Sequence, residues 1–159
     1  MRRHRSHAPP PGEAPSPRSV RLHPDALATV LAHCRAAPAA EACGALLGTI
    51  EGPAVRAAVG VANGAPDPAR SYAISAARVR ELDQRAAETG LTVVGFYHSH
   101  PAGPARPSAA DLEAAWPGYI YLIVGEAGRG TDTARVWRLA ERRDRFEEVA
   151  IRMETTKCT

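Results

Sequence analysis

The 159-residue sequence carries 45% apolar residues and a formal net charge of +3. This is enough apolar chain to build one buried core, so a single globular domain is expected, and no run approaches the length of a membrane span. Most of the basic excess lies in the first 20 residues, MRRHRSHAPPPGEAPSPRSV, and the remainder is close to neutral.

Residues 1–19 hold many prolines and almost no large apolar side chains, too little burial to offset the entropy of ordering. They read as a disordered arm before a domain spanning 20–155. The RRHRSH cluster in the arm has no interleaved aromatics, which favours a solvated tail over a nucleic-acid contact. The arm also lacks the apolar segment of a secretory signal, and the expected location is cytoplasmic. Three cysteines, Cys34, Cys43 and Cys158, form no C-x-x-C pair. Cys34 and Cys43 are expected as small core residues and Cys158 as an exposed thiol.

In chain order, Pro24 and Asp25 suit the first turn of a helix carrying Leu27, Val30, Leu31 and Cys34 on one face, ended by Pro38. ACGALLGTI predicts a buried strand, with Gly44 and Gly48 allowing close backbone packing, and AVRAAVGVANG a second strand entering a turn at Asn63 and Gly64. SYAIS follows as a short extended piece. SAARVRELDQRAAETG predicts a helix with Val79, Leu82 and Ala86 inward and Gly90 as its stop. LTVVGFYHSH is a strand that ends on histidines, SAADLEAAW a helix of about two turns, YIYLIV a strand covered on both faces, and ARVWRLA with FEEVAIRM a terminal hairpin around the charged turn ERRDR. Trp116, Tyr119 and Tyr121 are expected in the core behind the short helix, and Trp137 and Phe146 in the hairpin packing. The order of elements indicates an α/β fold, a mixed β-sheet flanked by helices.

The chemistry concentrates in GFYHSHPAGPARPSAAD. Alternate residues of a strand share a face, so His98 and His100 can aim two imidazoles at one point. An H-x-H pair alone carries little weight. Ser108 is placed to cap the following helix, which puts Asp111 at its third position, a capping box with Asp in place of Glu. The positive helix end favours an ionised Asp111, the form a metal requires. Two imidazoles and a carboxylate leave one position of a tetrahedral zinc for water, the layout of catalytic sites. Glu41, in EACGALLG where the first core strand begins, is the candidate general base.

The run H-S-H-x7-S-x-x-D from His98 to Asp111, with the upstream EACGALLG, resembles the signature of the JAMM (MPN+) zinc metallopeptidases. VANGA, SYAIS and GYIYLIVG resemble the compact bacterial members, and the resemblance extends over roughly residues 20–155. It implies a cytidine-deaminase-like sandwich in which His98, His100 and Asp111 hold zinc. Glu41 would shuttle a proton from the zinc water to the leaving amine, and Ser108 would stabilise the oxyanion. The deaminases themselves carry H-x-E and P-C-x-x-C, which this chain lacks.

Resemblance to the compact members implies a substrate: the C-terminal glycine tail of a ubiquitin-like or sulfur-carrier protein, added beside a strand edge and cut at its amide. Two alternatives stand beside it. One is a zinc-stabilised module that binds a ubiquitin-like partner without cleaving it. The other is a RadC-type JAMM domain associated with DNA repair. A homo-oligomer is left open.

Overall fold

A computed structural model describes residues 18–127 and 133–155. Residues 1–17, which make up most of the expected arm, and Cys158 lie outside the described residues. Strand β1 (Ser19–Leu22) leads to helix α1 (Pro24–Arg35), then to strands β2 (Cys43–Thr49) and β3 (Ala54–Val61). Helix α2 (Ala76–Ala87), strand β4 (Thr92–His100) and helix α3 (Ala109–Ala114) follow, and β5 (Ile120–Gly125), β6 (Thr133–Leu139) and β7 (Phe146–Met153) complete the domain.

Local chemistry sets the helix ends. His23 caps α1 through Nδ1, which accepts from the Asp25 N–H, and Pro24 occupies a first-turn position that needs no donor. Ser75 caps α2 by accepting from the Arg78 N–H. The chain leaves α2 through Gly90, whose positive φ of 73° suits a residue without a side chain.

The seven strands form one mixed sheet that closes into a ring in the order β1-β3-β2-β4-β5-β6-β7. β1 runs parallel to both β3 and β7, β4 runs parallel to β5, and the other pairs are antiparallel. The mixed sheet and the flanking helices match the reading from the order of elements; the closure differs from it. The reason is β1, a four-residue strand too short to carry a pattern, which pairs Arg21 with Ala54 on one side and with Arg152 on the other. SYAIS joins no strand ladder. Among the described residues no helix is long and apolar enough to cross a membrane.

Two apolar clusters fill the layers. Val30 and Cys34 of α1 pack with Leu46, Tyr97, Leu122 and Val124, while Val79, Leu82 and Ala86 of α2 pack with Ala45, Phe96 and Tyr121. The register of β2 on β4 steps from Leu46↔Gly95 to Leu47↔Val93, which leaves Val94 as a bulge. Downstream of that bulge β4 alternates cleanly. Phe96 faces the α2 layer and Tyr97 the α1 layer, so period-two geometry turns His98 and His100 to the same side as Phe96. Gly44 makes this crossing possible, because a Cβ there would run into the Val59 carbonyl and the Tyr97 ring. Cys34 and Cys43 are both buried, as expected of core residues.

Candidate metal centre

The site forms where β4 ends beside the start of α3. β4 is paired on both sides, to β2 and to β5, so the backbone that carries the two histidines has little freedom. His98 sits opposite Cys43 and Ile123, and its side chain is 1% exposed. Ser99 between them turns to the other face. Its Oγ accepts from the Ala42 N–H at 2.9 Å and its own N–H donates to the Ala42 carbonyl at 3.0 Å, which ties the end of β4 to the residue after Glu41.

Helix α3 supplies the third donor by its cap. Ser108 Oγ accepts from the Asp111 N–H at 3.1 Å, and the Ser108 N–H donates to Asp111 Oδ2 at 2.7 Å, the reciprocal capping box expected from the sequence. The box holds the carboxylate over the histidines. Behind it, Trp116, Tyr119 and Tyr121, expected there, join Phe96 in an aromatic bed. The Tyr121 hydroxyl also takes the Trp116 N–H at 2.7 Å and so fixes the chain just past α3.

His98 Nε2 lies 3.1 Å from His100 Nε2 and 3.3 Å from Asp111 Oδ1, and His100 Nε2 lies 3.4 Å from Asp111 Oδ2. Among the described residues these three form the group able to hold a metal. The triangle fits a small ion. Donors on a tetrahedral centre with bonds of about 2.0–2.1 Å stand roughly 3.3–3.4 Å apart, close to the spacings found. The tautomer at His100 fits too: its Nδ1 lies 2.9 Å from the Pro104 carbonyl, so Nδ1 carries the proton and the Nε2 lone pair faces inward.

Burial and mutual attraction set the charge of the three donors. Burial pushes the His98 pKa down, outweighing the hydrogen bond and charge of Asp111, a direction that favours the neutral imidazole. At His100 burial also acts downward, but the hydrogen bonds to Asp111 and Pro104 outweigh it and the pKa rises. Burial would raise the Asp111 carboxyl; the two histidines overcome this and hold it well below the usual carboxylate range. Asp111 is therefore an ionised donor.

Glu41 lies two residues before β2 and is buried, 7% exposed. Its N–H donates to the Pro68 carbonyl at 2.7 Å and its carbonyl accepts from Asn63 Nδ2 at 2.9 Å. Burial lifts its carboxyl to about 7, with the charge of His100 pulling down and that of Asp111 pushing up. It feels both ligands without joining the donor triangle. Ser108 is exposed at the rim. Cys43 is chemically quiet, since burial pushes its thiol up to about 12.

Four residues matter here that the sequence did not single out for the site. Ser99 was only the spacer of H-S-H. Asn63 was a turn residue, yet its side chain makes four hydrogen bonds, to Glu41 O, Ser71 O, Ala65 N and Ala73 N. Tyr72, inside SYAIS, stacks on His98. Trp137, expected in hairpin packing, also donates its indole N–H to the Ala105 carbonyl at 3.0 Å and so pins the proline loop that follows His100.

Known proteins resemble this chain over most of the domain. A model of the prokaryotic homologs of the JAB domain matches residues 23–140. The chain is 38% identical over 138 residues to desampylase of Haloferax volcanii, an alignment that covers 84% of this chain and 95% of that protein. It is 33% identical over 76 residues, 48% of each chain, to a probable TtuB-protein conjugate cleaving protease of Thermus thermophilus. The crystal structure of a JAB1/MPN domain protein from Archaeoglobus fulgidus superposes with a TM-score of 0.54 at 19% identity, covering 84% of this chain and 97% of that one, a likeness of fold. A partly buried His-His-Asp triangle at the end of a mixed-sheet strand, and a family match over most of the domain, lead to one assignment: the chain belongs to the prokaryotic JAB/JAMM domain family.

Proposed function

We propose that this chain is a zinc metallopeptidase that hydrolyses an amide bond at the C-terminal glycine tail of a ubiquitin-like or sulfur-carrier protein. The observation that carries the reading is the donor triangle of His98, His100 and Asp111, with the buried Glu41 beside it. The homology to a desampylase and to a conjugate-cleaving protease supports the substrate class.

His98, His100 and Asp111 would hold the zinc, through Nε2, Nε2 and a carboxylate oxygen. A zinc ion in such a site supplies a water of lowered pKa and polarises the scissile carbonyl. Glu41, with a carboxyl near 7, is matched to take the proton of the attacking water and return it to the departing amine. Ser108 accepts the Asp111 N–H through an Oγ lone pair, a bond that does not use the hydroxyl hydrogen. That hydrogen is the donor assigned to the oxyanion. The Pro104 carbonyl orients His100 by holding its Nδ1 proton.

A module that only binds its partner would need the three ligands and no buried acid. The position of Glu41 therefore favours the enzyme. The test uses the purified chain, zinc and a ubiquitin-like carrier extended past its terminal Gly-Gly by a short peptide, followed by mass spectrometry. The expected result is loss of the extension with wild type and none with Glu41→Gln at equal zinc content. Binding of the carrier without any mass loss in wild type would select the binding module instead.

A further inference from the structure

The two histidines are held in different ways. His100 is oriented at its second nitrogen, by the Pro104 carbonyl. His98 has no such bond: among the described residues its buried Nδ1 meets no hydrogen-bond partner. A metal-bound imidazole ordinarily needs that second contact to keep its ring plane fixed. What lies against His98 is a ring. Tyr72 stacks on it with centroids 4.4 Å apart and planes 23° from parallel, a geometry that restrains rotation of the imidazole.

Tyr72 is itself clamped. Asn63 Nδ2 donates to the Ser71 carbonyl at 2.9 Å and Asn63 Oδ1 accepts from the Ala73 N–H at 3.2 Å, so one side chain grips the backbone on both flanks of Tyr72. The same Nδ2 donates to the Glu41 carbonyl at 2.9 Å. Asn63 thus joins the residue that stacks on a ligand to the residue assigned as base. Its carboxamide is fully used, with two acceptors for the NH2 group and two donors on the oxygen.

We propose that Tyr72 is the positioning residue for His98, taking by ring stacking the place of the missing hydrogen bond, and that Asn63 acts through Tyr72 by fixing its backbone. This rests on the reading of His98 as a metal ligand. The contribution is the ring and not the hydroxyl.

The test is zinc affinity of the full chain, measured by chelator competition, with cobalt(II) absorption as a second readout of ligand geometry. Tyr72→Phe is expected to bind zinc within about twofold of wild type. Tyr72→Leu is expected to bind roughly 10- to 100-fold more weakly and to change the cobalt bands. Asn63→Ala is expected to weaken binding in the wild-type background and to add nothing in the Tyr72→Leu background. Tyr72→Met, which refills the space with a flexible chain, replaces Tyr72→Leu if the latter does not fold. Zinc affinity unchanged in the leucine or methionine variant overturns the proposal, as does a loss in Tyr72→Phe equal to that in Tyr72→Leu. Additive losses for Asn63 and Tyr72 overturn the part assigned to Asn63. Wild type that binds no zinc overturns the metal reading itself, a result distinct from all of these.

Discussion

The donor triangle is built from two unlike supports. Its histidines stand on β4, a strand paired on both sides, with His98 sealed in the interior. Its carboxylate stands on α3, a six-residue helix with no buried residue of its own. A helix this short is not stable by propensity. It is held by the capping box, by the aromatic bed beneath it and by the Tyr121 hydroxyl just past its end. On the strand side the backbone fixes the ligand direction; on the helix side one side-chain bond pair does. The comparison teaches that a serine can start a helix without spending its hydroxyl proton, because capping takes an oxygen lone pair.

The largest effects should be shared by the two supports. His98→Ala and Asp111→Ala are each expected to weaken zinc binding on the order of 10³-fold, since each removes one of the few donors among which the binding free energy is divided. Equal zinc content after dialysis against a weak chelator in either variant would break the triangle. Ser108 then separates the helix side into its two functions. Ser108→Ala and Ser108→Gly are both expected to lose roughly 10²-fold in turnover through the missing donor. Only the alanine variant should lose about 1 kcal/mol of stability, because glycine is a tolerable cap. If turnover tracks the melting temperature and not the hydroxyl, the serine is only a cap.

A pH series sharpens the contrast between Glu41 and Asp111 in the metal-free chain. Glu41 is raised from 4.5 to about 7, so folding favours its protonated form. Its contribution is full below about 4.5 and is lost as pH rises through 7. Asp111 is held below its ordinary value, so its contribution is present above about 4 and is lost as the solution becomes more acid. Denaturant titrations should therefore show Glu41→Gln more stable than wild type above pH 7 by up to about 2–3 kcal/mol, with the gap closing near pH 4.5. Parallel curves for the two proteins would contradict the burial of that carboxyl. The smallest expected effect is at the loop: Trp137→Phe removes the bond to Ala105 and should reduce stability by about 1 kcal/mol, with zinc still bound.

Much of this was readable from the chain. α1, α2, the strands β2 to β7 and the capping box all follow from periodicity and cap chemistry acting over a few residues. The donor set and its cap were readable because His98, His100, Ser108 and Asp111 lie within 14 residues, a distance over which strand and helix periods carry spatial meaning. The ring closure was not readable, since β1 has four residues and its partners lie on β3 and β7, far along the chain. Asn63 and Tyr72 escaped for the same reason. Asn63 reads locally as half of an Asn-Gly turn, and its bond to Glu41 spans 22 residues. Tyr72 meets His98 only after helix α2 has intervened.

The central claim is that zinc sits between His98, His100 and Asp111. Zinc-edge X-ray absorption on the zinc-loaded chain tests it most directly. The account predicts two imidazole nitrogens and oxygen donors at about 2.0–2.2 Å, with one imidazole lost in His98→Ala. A sulfur shell at about 2.3 Å, or a spectrum unaltered by His98→Ala and by Asp111→Ala, would contradict it.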